Sequence, residues 1–305
     1  MSWDFSQELA KWNPASRASL SPVDLRYARK YCARVARTHY ENFSVVSFLL
    51  PRRLIPHFHA VYAYCRWSDD IADETRGGAY TVQLIDCWRE ELLSCYGGKP
   101  RHPVMIALHE TIRRFDIPPE PFLNLLVAFT QDQHTKIYST FDQLLGYCRN
   151  SANPVGHLLL HLFECFDSKR AVLSNEVCTG LQLANFWQDV ARDFDIGRIY
   201  LPEEDRRRFG YSLKDLATKR FTPAFQAMMS FEVDRARGYF DRGQALLPLL
   251  PAQVRVDVDL FIAGGRAILD AIERANYDVL TKRPEVKNSV KLKLLLLAIL
   301  HRWLW

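Results

Sequence analysis

Two pairs of aspartates constrain this chain more than any other feature. The first lies in Tyr64-Cys65-Arg66-Trp67-Ser68-Asp69-Asp70-Ile71-Ala72-Asp73-Glu74, the second in Asn185-Phe186-Trp187-Gln188-Asp189-Val190-Ala191-Arg192-Asp193. Asp69 and Asp73 stand at i and i+4, as do Asp189 and Asp193, so a helix puts each pair on one face. Like charges at that spacing cost a helix a few tenths of a kcal/mol, and a cation between them reverses the sign. Asn185 stands one turn before Asp189 on the same face, with Gln182 on a neighbouring stripe. Val61, Tyr62 and Tyr64 precede the first pair, and Leu181, Leu183, Phe186 and Trp187 surround the second. Carboxylates near the buried face of a bundle helix need a partner. An all-oxygen set without His or Cys suits Mg²⁺, with Mn²⁺ as the alternative. Mg²⁺ keeps waters and bridges a few carboxylates to substrate phosphates, so two such pairs are hardware for a diphosphate held by several metals. The chemistry implied is ionisation of an allylic or cyclopropylcarbinyl diphosphate to a carbocation, with aromatic rings to stabilise the cation. A single D-x-x-x-D on a helix is ordinarily a solvated face. On the residues alone, the paired metal site and two solvated faces both stand.

The rest of the chain reads as helix after helix. Apolar residues recur at three- and four-residue steps, and period-2 alternation is scarce. The periodicity predicts helices over about 55–75, 174–194, 223–246 and 254–280, among others. Gly77-Gly78, Gly97-Gly98, Pro118-Pro119 and Asn153-Pro154 supply the breaks. The stretch from Ile196 to Ser212 reads as a loop with short helical pieces. Gaps are mostly short and no linker or repeat divides the chain. One all-α bundle domain over residues 1–305 is expected, with a core of about 23–281 and a basic, apolar helix over about 290–303. At 305 residues such a chain can bury a core without disulfides or structural zinc. Its 7 cysteines form no C-x-x-C, which suggests reduced, buried thiols in a cytoplasmic protein.

The net charge of +5 suits an anionic small molecule or an anionic membrane surface. No nucleic-acid-binding signature occurs, and nucleic acid is not expected as a partner. Met1 to Pro22 has no apolar core and is not expected to be a signal peptide. No apolar run approaches the ~18 residues of a spanning helix. Lys291 to Trp305 is basic, leucine-rich and Trp-tipped, which suggests either a membrane-surface helix at the inner face or a last bundle helix packed inward. His57-x-His59 reads as a packed helix-entry pair rather than a zinc site.

At its two aspartate segments the chain resembles the squalene and phytoene synthase family. The segments YCRWSDDIADE and LQLANFWQDVARDFDIGRIYLP carry the resemblance, which extends over roughly His39 to Tyr277. It implies a single isoprenoid synthase bundle with a central cavity, across which the two motifs bind diphosphate through Mg²⁺. By position it makes Asp69, Asp73, Asn185, Asp189 and Asp193 metal-site residues, the four aspartates being catalytic. Arg66, Tyr62, Gln182, Arg198 and Tyr200 match substrate or diphosphate contacts, as do His39 and Asn42 in the early HYENFS segment. Guanidinium forks beside a diphosphate make physical sense for Arg66 and Arg198.

Three departures bear on the reaction. Gln188 stands where two-step synthases often carry Arg, Arg192 where they often carry Glu, and Gly265 where carotenoid-type members place a substrate-touching Tyr. The last change implies more room at Gly265. These departures point away from full squalene or phytoene synthesis. HYENFSVVSFLLP, YCRNSANPVGHLLLHLF and NFWQDVARD look most like the bacterial hopanoid-pathway branch called hydroxysqualene synthase. That resemblance implies conversion of presqualene diphosphate and water to hydroxysqualene, with Mg²⁺, without NADPH, and alongside neighbouring pathway enzymes. The alternative within the class is condensation of two farnesyl diphosphates to presqualene diphosphate, squalene or dehydrosqualene, or the phytoene equivalent. The alternative outside it is a non-catalytic helical scaffold, against which the intact aspartates argue.

Overall fold

The computed structural model describes residues 3–16, 22–38, 51–290, 292–294 and 296. Its elements are α1 (Phe5–Trp12), α2 (Leu25–Thr38), α3 (Ile55–Asp73), α4 (Gly78–Tyr96), α5 (Pro103–Phe115), α6 (Glu120–Gln131), α7 (Phe141–Ser151) and α8 (Asn153–Leu162). There follow α9 (Ser168–Gln188), α10 (Val190–Asp195), α11 (Glu203–Arg208), α12 (Leu213–Ala217), α13 (Pro223–Gly243), a 3₁₀ turn (Gln244–Leu249) and α14 (Ala252–Arg274). Among the described residues there is no strand, only an isolated bridge between Ile137 and Ile199. The all-α expectation holds. Helix starts follow the capping chemistry of the sequence: Asp4, Thr140, Asp167 and Thr222 each accept a backbone N–H of the first turn, and Ser212 with Asp215 closes a capping box. The expected C-terminal helix is helical where it is described, at 288–290, 292–294 and 296, and otherwise lies outside the described residues.

The chain divides into two compact units, Met1–His134 with His157–Glu164, and Thr135–Gly156 with Cys165–Trp305. In the first unit α3 packs against α2, α4, α5 and α6. Its inner stripe of Ala60, Tyr64, Trp67 and Ile71 is fully buried. Trp88 of α4 stacks on both Tyr64 and Trp67, with ring centroids 5.8 and 5.5 Å apart. The edge of His102 meets Trp67 at 4.5 Å and Trp88 at 4.8 Å. The indole N–H groups find partners: Trp88 donates to Ser68 Oγ at 3.0 Å and Trp67 to Tyr31 Oη at 3.1 Å. His102 accepts the Val104 N–H at Nδ1, which caps α5 and puts the ring proton on Nε2. Burial pushes its pKa down to about 3, so the ring is neutral at physiological pH. With α3 wedged on this side by aromatics, its opposite stripe is left to polar chemistry.

In the second unit α9 packs against α13 and α14. The helices approach closely where they carry glycine. Phe240 of α13 lies over Gly180 of α9 and Gly265 of α14; a Cβ at Gly265 would stand 2.3 Å from Phe240 Cζ and 3.0 Å from Leu181 Cδ2. The expected room at Gly265 is therefore corrected: the Phe240 ring fills it. A second lock joins α11 to α13. Arg235 donates to Asp205 at 2.8 Å and lies beside buried Glu232, with its guanidinium 3.9 Å from the Phe141 ring centroid.

Gly265→Ala should destabilise the protein by about 1–3 kcal/mol through overpacking, lowering the melting temperature by several degrees. Adding Phe240→Leu should recover part of that loss. Thermal unfolding of the two single variants and the double variant checks this; additive losses would show that ring and glycine are not coupled.

Candidate active site

Each unit carries one aspartate motif. In the first unit the outer stripe of α3 holds Tyr62, Arg66, Asp69 and Asp73, one turn after another, so the sequence-predicted residues of this motif share a face. Asp69, Asp70, Asp73 and the C-cap Glu74 crowd the end of the helix, where no basic residue stands in the last turn. Carboxylates at a helix C-terminus also oppose its macrodipole. Arg66 answers this charge from one turn back. Its Nη1 lies 3.2 Å from Asp69 Oδ2, and its Nη2 pairs with Asp70 Oδ1 and, at 3.0 Å, with Glu74 Oε1.

Asp70 is fully buried, and its Oδ2 accepts the Trp3 indole N–H at 2.9 Å. Burial pushes its carboxyl up to about 7, against the pull of Arg66 and Trp3. Asp70 thus fixes Arg66 while Asp69 and Asp73 stay on the outer stripe. Asp70 is not among the residues expected from the motif, although its i, i+4 spacing from Arg66 is a usable signal. Tyr62 is half-buried; burial pushes its hydroxyl up to about 12, which keeps it a neutral donor.

In the second unit the predicted continuous helix over 174–194 is corrected. α9 ends at Gln188, Asp189 is its C-cap with φ −106° and ψ 14°, and α10 begins at Val190. The i, i+4 relation survives the break, because Asp189 N–H still donates to Asn185 O at 3.0 Å and Asp193 N–H to Asp189 O at 2.8 Å. Asn185 Nδ2 donates to Asp189 Oδ2 at 3.0 Å. Asp189 is buried and Asp193 half-buried. Burial, followed by the nearby Asp189 charge, pushes the Asp193 carboxyl up to about 7; Arg198, Arg192 and Arg283 pull the other way. The Arg198 backbone N–H donates to Asp193 O at 2.7 Å, which brings the loop after α10 back to the motif. Gln182, half-buried, lies on α9 one turn before Asn185.

An aromatic cluster stands beside this motif. Phe186 and Tyr200 stack with centroids 3.8 Å apart at 14°. Tyr138 lies 5.8 Å from Tyr200, and Tyr147 lies 5.9 Å from Tyr200 and 6.2 Å from Phe186. Tyr200 is therefore packed, at 8% exposure, rather than displayed. His39 and Asn42 lie outside the described residues.

The donor set fits Mg²⁺. Each motif offers two carboxylates, the second adds an amide, and among the described residues no three His, Cys, Asp or Glu side chains close into a cage. Mg²⁺ favours such open sets, because it retains waters and takes phosphate oxygens. Burial first, and then the Asp189 charge, raises the Asp193 carboxyl, and a divalent cation beside it would favour its ionised form. Asp69 and Asp73 would hold such an ion in the first unit, and Asn185, Asp189 and Asp193 in the second.

A family model for squalene/phytoene synthase matches residues 36–290. A phytoene synthase of Arthrospira platensis is 30% identical over 294 residues, covering 92% of this chain and 95% of its own. The crystal structure of squalene synthase HpnC from Alicyclobacillus acidocaldarius superposes with a TM-score of 0.80 at 44% identity, over 84% of this chain and 97% of that one. A dehydrosqualene synthase solved with a ligand gives a TM-score of 0.80 at 25% identity, over 92% and 98% of the two chains.

A carboxyl whose folded pKa exceeds its unfolded value holds its proton more tightly in the folded protein. It therefore removes stability as pH rises from about 4 towards 7. Metal-free wild type should lose melting temperature over that window relative to Asp193→Asn, measured by thermal unfolding in chelator. Parallel pH profiles for the two proteins would contradict the raised Asp193 pKa.

Proposed function

Because the chain belongs to the squalene/phytoene synthase family, whose members use prenyl diphosphates, we propose that it converts presqualene diphosphate and water to hydroxysqualene and diphosphate. The 44% identity to the squalene synthase HpnC chain, against 30% to a phytoene synthase and 25% to a dehydrosqualene synthase, supports C30 squalene-type chemistry. The hydroxysqualene outcome rests on the resemblance of HYENFSVVSFLLP, YCRNSANPVGHLLLHLF and NFWQDVARD to the hydroxysqualene synthase branch. Gln188 in place of an arginine supports it.

Mg²⁺, when bound, would neutralise the leaving diphosphate and so favour ionisation. The chain's own groups do the rest. Within one unit Asp69 and Asp73, and within the other Asn185, Asp189 and Asp193, would hold metal and through it diphosphate oxygens. Arg66 and Arg198 bind its oxygens with guanidinium forks. Asp70 holds Arg66 in position, and Trp3 holds Asp70. Tyr62 donates from a hydroxyl that stays protonated. The packed cluster of Phe186, Tyr200, Tyr138 and Tyr147 backs the second motif and holds Asp193 and the Arg198 loop in place. Water closes the rearranged cation, its second proton passes to the released diphosphate, and no reductant enters the balance.

The second reading is head-to-head condensation, of two farnesyl diphosphates as the dehydrosqualene synthase neighbour suggests, or the phytoene equivalent as the phytoene synthase relatives suggest. We also propose peripheral contact with an anionic membrane. Leu292 and Leu296 are 57% and 51% exposed, one turn apart beside Lys293, and no helix of the described residues is long and apolar enough to cross a membrane. Flotation with anionic but not neutral liposomes is expected; recovery in the soluble fraction with both would contradict it.

Purified protein with Mg²⁺ and presqualene diphosphate, without NADPH, should give a C30 alcohol by mass spectrometry. Asp69→Ala and Asp189→Ala should each lower the rate by at least about 100-fold. Consumption of farnesyl diphosphate, with presqualene diphosphate untouched, would replace this reading with the condensing one.

A further inference from the structure

Asp189 already has a cationic partner. Beyond α14 the chain turns through Asn276 and Tyr277, both at positive φ, and runs as an irregular segment over 281–287 that reaches the second motif. Arg283 Nε donates to Asp189 Oδ1 at 2.5 Å, and its Nη2 donates to Asp189 Oδ2 at 3.0 Å and to Gln188 Oε1 at 2.8 Å. Gln188 returns a bond from Nε2 to Pro284 O at 2.6 Å. The buried Gln188 amide thus uses its acceptor and its donor on this one segment. An arginine there has no acceptor and could not make the first bond.

The two sides of the contact differ in freedom. The Asp189 side chain is 8% exposed, whereas that of Arg283 is 42% exposed. The segment, Arg283 included, together with Arg274 and Asp278 lines an open cavity of about 810 Å³. The segment borders open space, whereas the Asp189 carboxylate is buried. With Arg283 Nε and Nη2 and Asn185 Nδ2 already on the two Asp189 oxygens, a divalent cation there competes with the guanidinium for both lone pairs and charge.

We propose that Arg283 and Gln188 form a latch that holds the 281–287 segment over Asp189 in the metal-free protein, and that divalent-metal binding requires the latch to open. Arg283 is a positioning residue, the resident counter-cation of a metal ligand. The proposal rests on the metal reading of Asp189 given above. It also gives Gln188 a task of its own, since this residue closes the latch. By linkage, the factor by which closure weakens metal binding is the factor by which metal weakens closure. If the closed form predominates about ten to one, its removal tightens apparent metal affinity about tenfold.

The test is Mn²⁺ binding to the full chain without substrate, by calorimetry, with amide hydrogen exchange over 281–290. Arg283→Gln should tighten Mn²⁺ binding about tenfold and Gln188→Met about threefold. Mn²⁺ should speed exchange over 281–290 in wild type, and in Arg283→Gln that exchange should be fast without metal. If Arg283→Gln fails to fold, Gln188→Met carries the test, since it leaves both charges in place. Unchanged or weaker Mn²⁺ binding in the folded variants would overturn the latch alone. Wild type and Asp189→Ala binding Mn²⁺ equally would overturn the metal reading, and the latch with it.

Discussion

Carboxylates gathered at the ends of two helices, where backbone dipoles already oppose negative charge, set the problem that much of this structure answers. The last turn of α3 and its cap carry four acids, and the end of α9 carries Asp189 with Asp193 one turn on. Neither arrangement stabilises its own helix. Each is tolerated because a guanidinium stands within reach: Arg66 against Asp69, Asp70 and Glu74, and Arg283 against Asp189. The two compensations differ in kind. Arg66 is local, one turn back on the same helix, and is fixed by a buried acid that Trp3 also holds. Arg283 comes from a segment 94 residues away in sequence, with a more exposed side chain.

The aromatic packing explains why the carboxylates can be placed with any precision. Trp67 and Trp88, wedged by His102, leave α3 little freedom to rotate, so Asp69 and Asp73 keep their outward stripe. Ser68, between Tyr64 O and the Trp88 indole, satisfies the polar groups that this wedge buries. In the second unit Phe186 ties the motif to Tyr200 and so to the loop that brings in Arg198. The aromatic residues around both motifs are therefore the rigid backing of the charged groups.

Much of this was legible in the sequence, because the signals are local. Apolar spacing located α3 to within two residues, and the i, i+4 aspartates did lie on one face in each unit. What escaped depends on contacts between distant segments. Nothing in the spacing links Arg283 to Asp189. Gln188 read as a lost arginine, whereas its amide makes two bonds to the 281–287 segment. Gly265 read as empty space, but the ring that fills it comes from Phe240 on another helix. The break at Asp189 was hidden because the hydrogen bonds on both sides of it keep helical spacing. Tyr200, matched to a substrate contact by position, is stacked flat on Phe186.

The central claim is that both aspartate motifs are metal sites for one diphosphate chemistry. The most direct measurement is a crystal of the full chain with Mn²⁺ and inorganic diphosphate, read by anomalous scattering at the manganese edge. The account predicts manganese bound to Asp69 or Asp73 and, separately, to Asp189 or Asp193, with diphosphate oxygens completing the coordination. Manganese absent from one motif, with its carboxylates still paired to arginine in the presence of diphosphate, would contradict it.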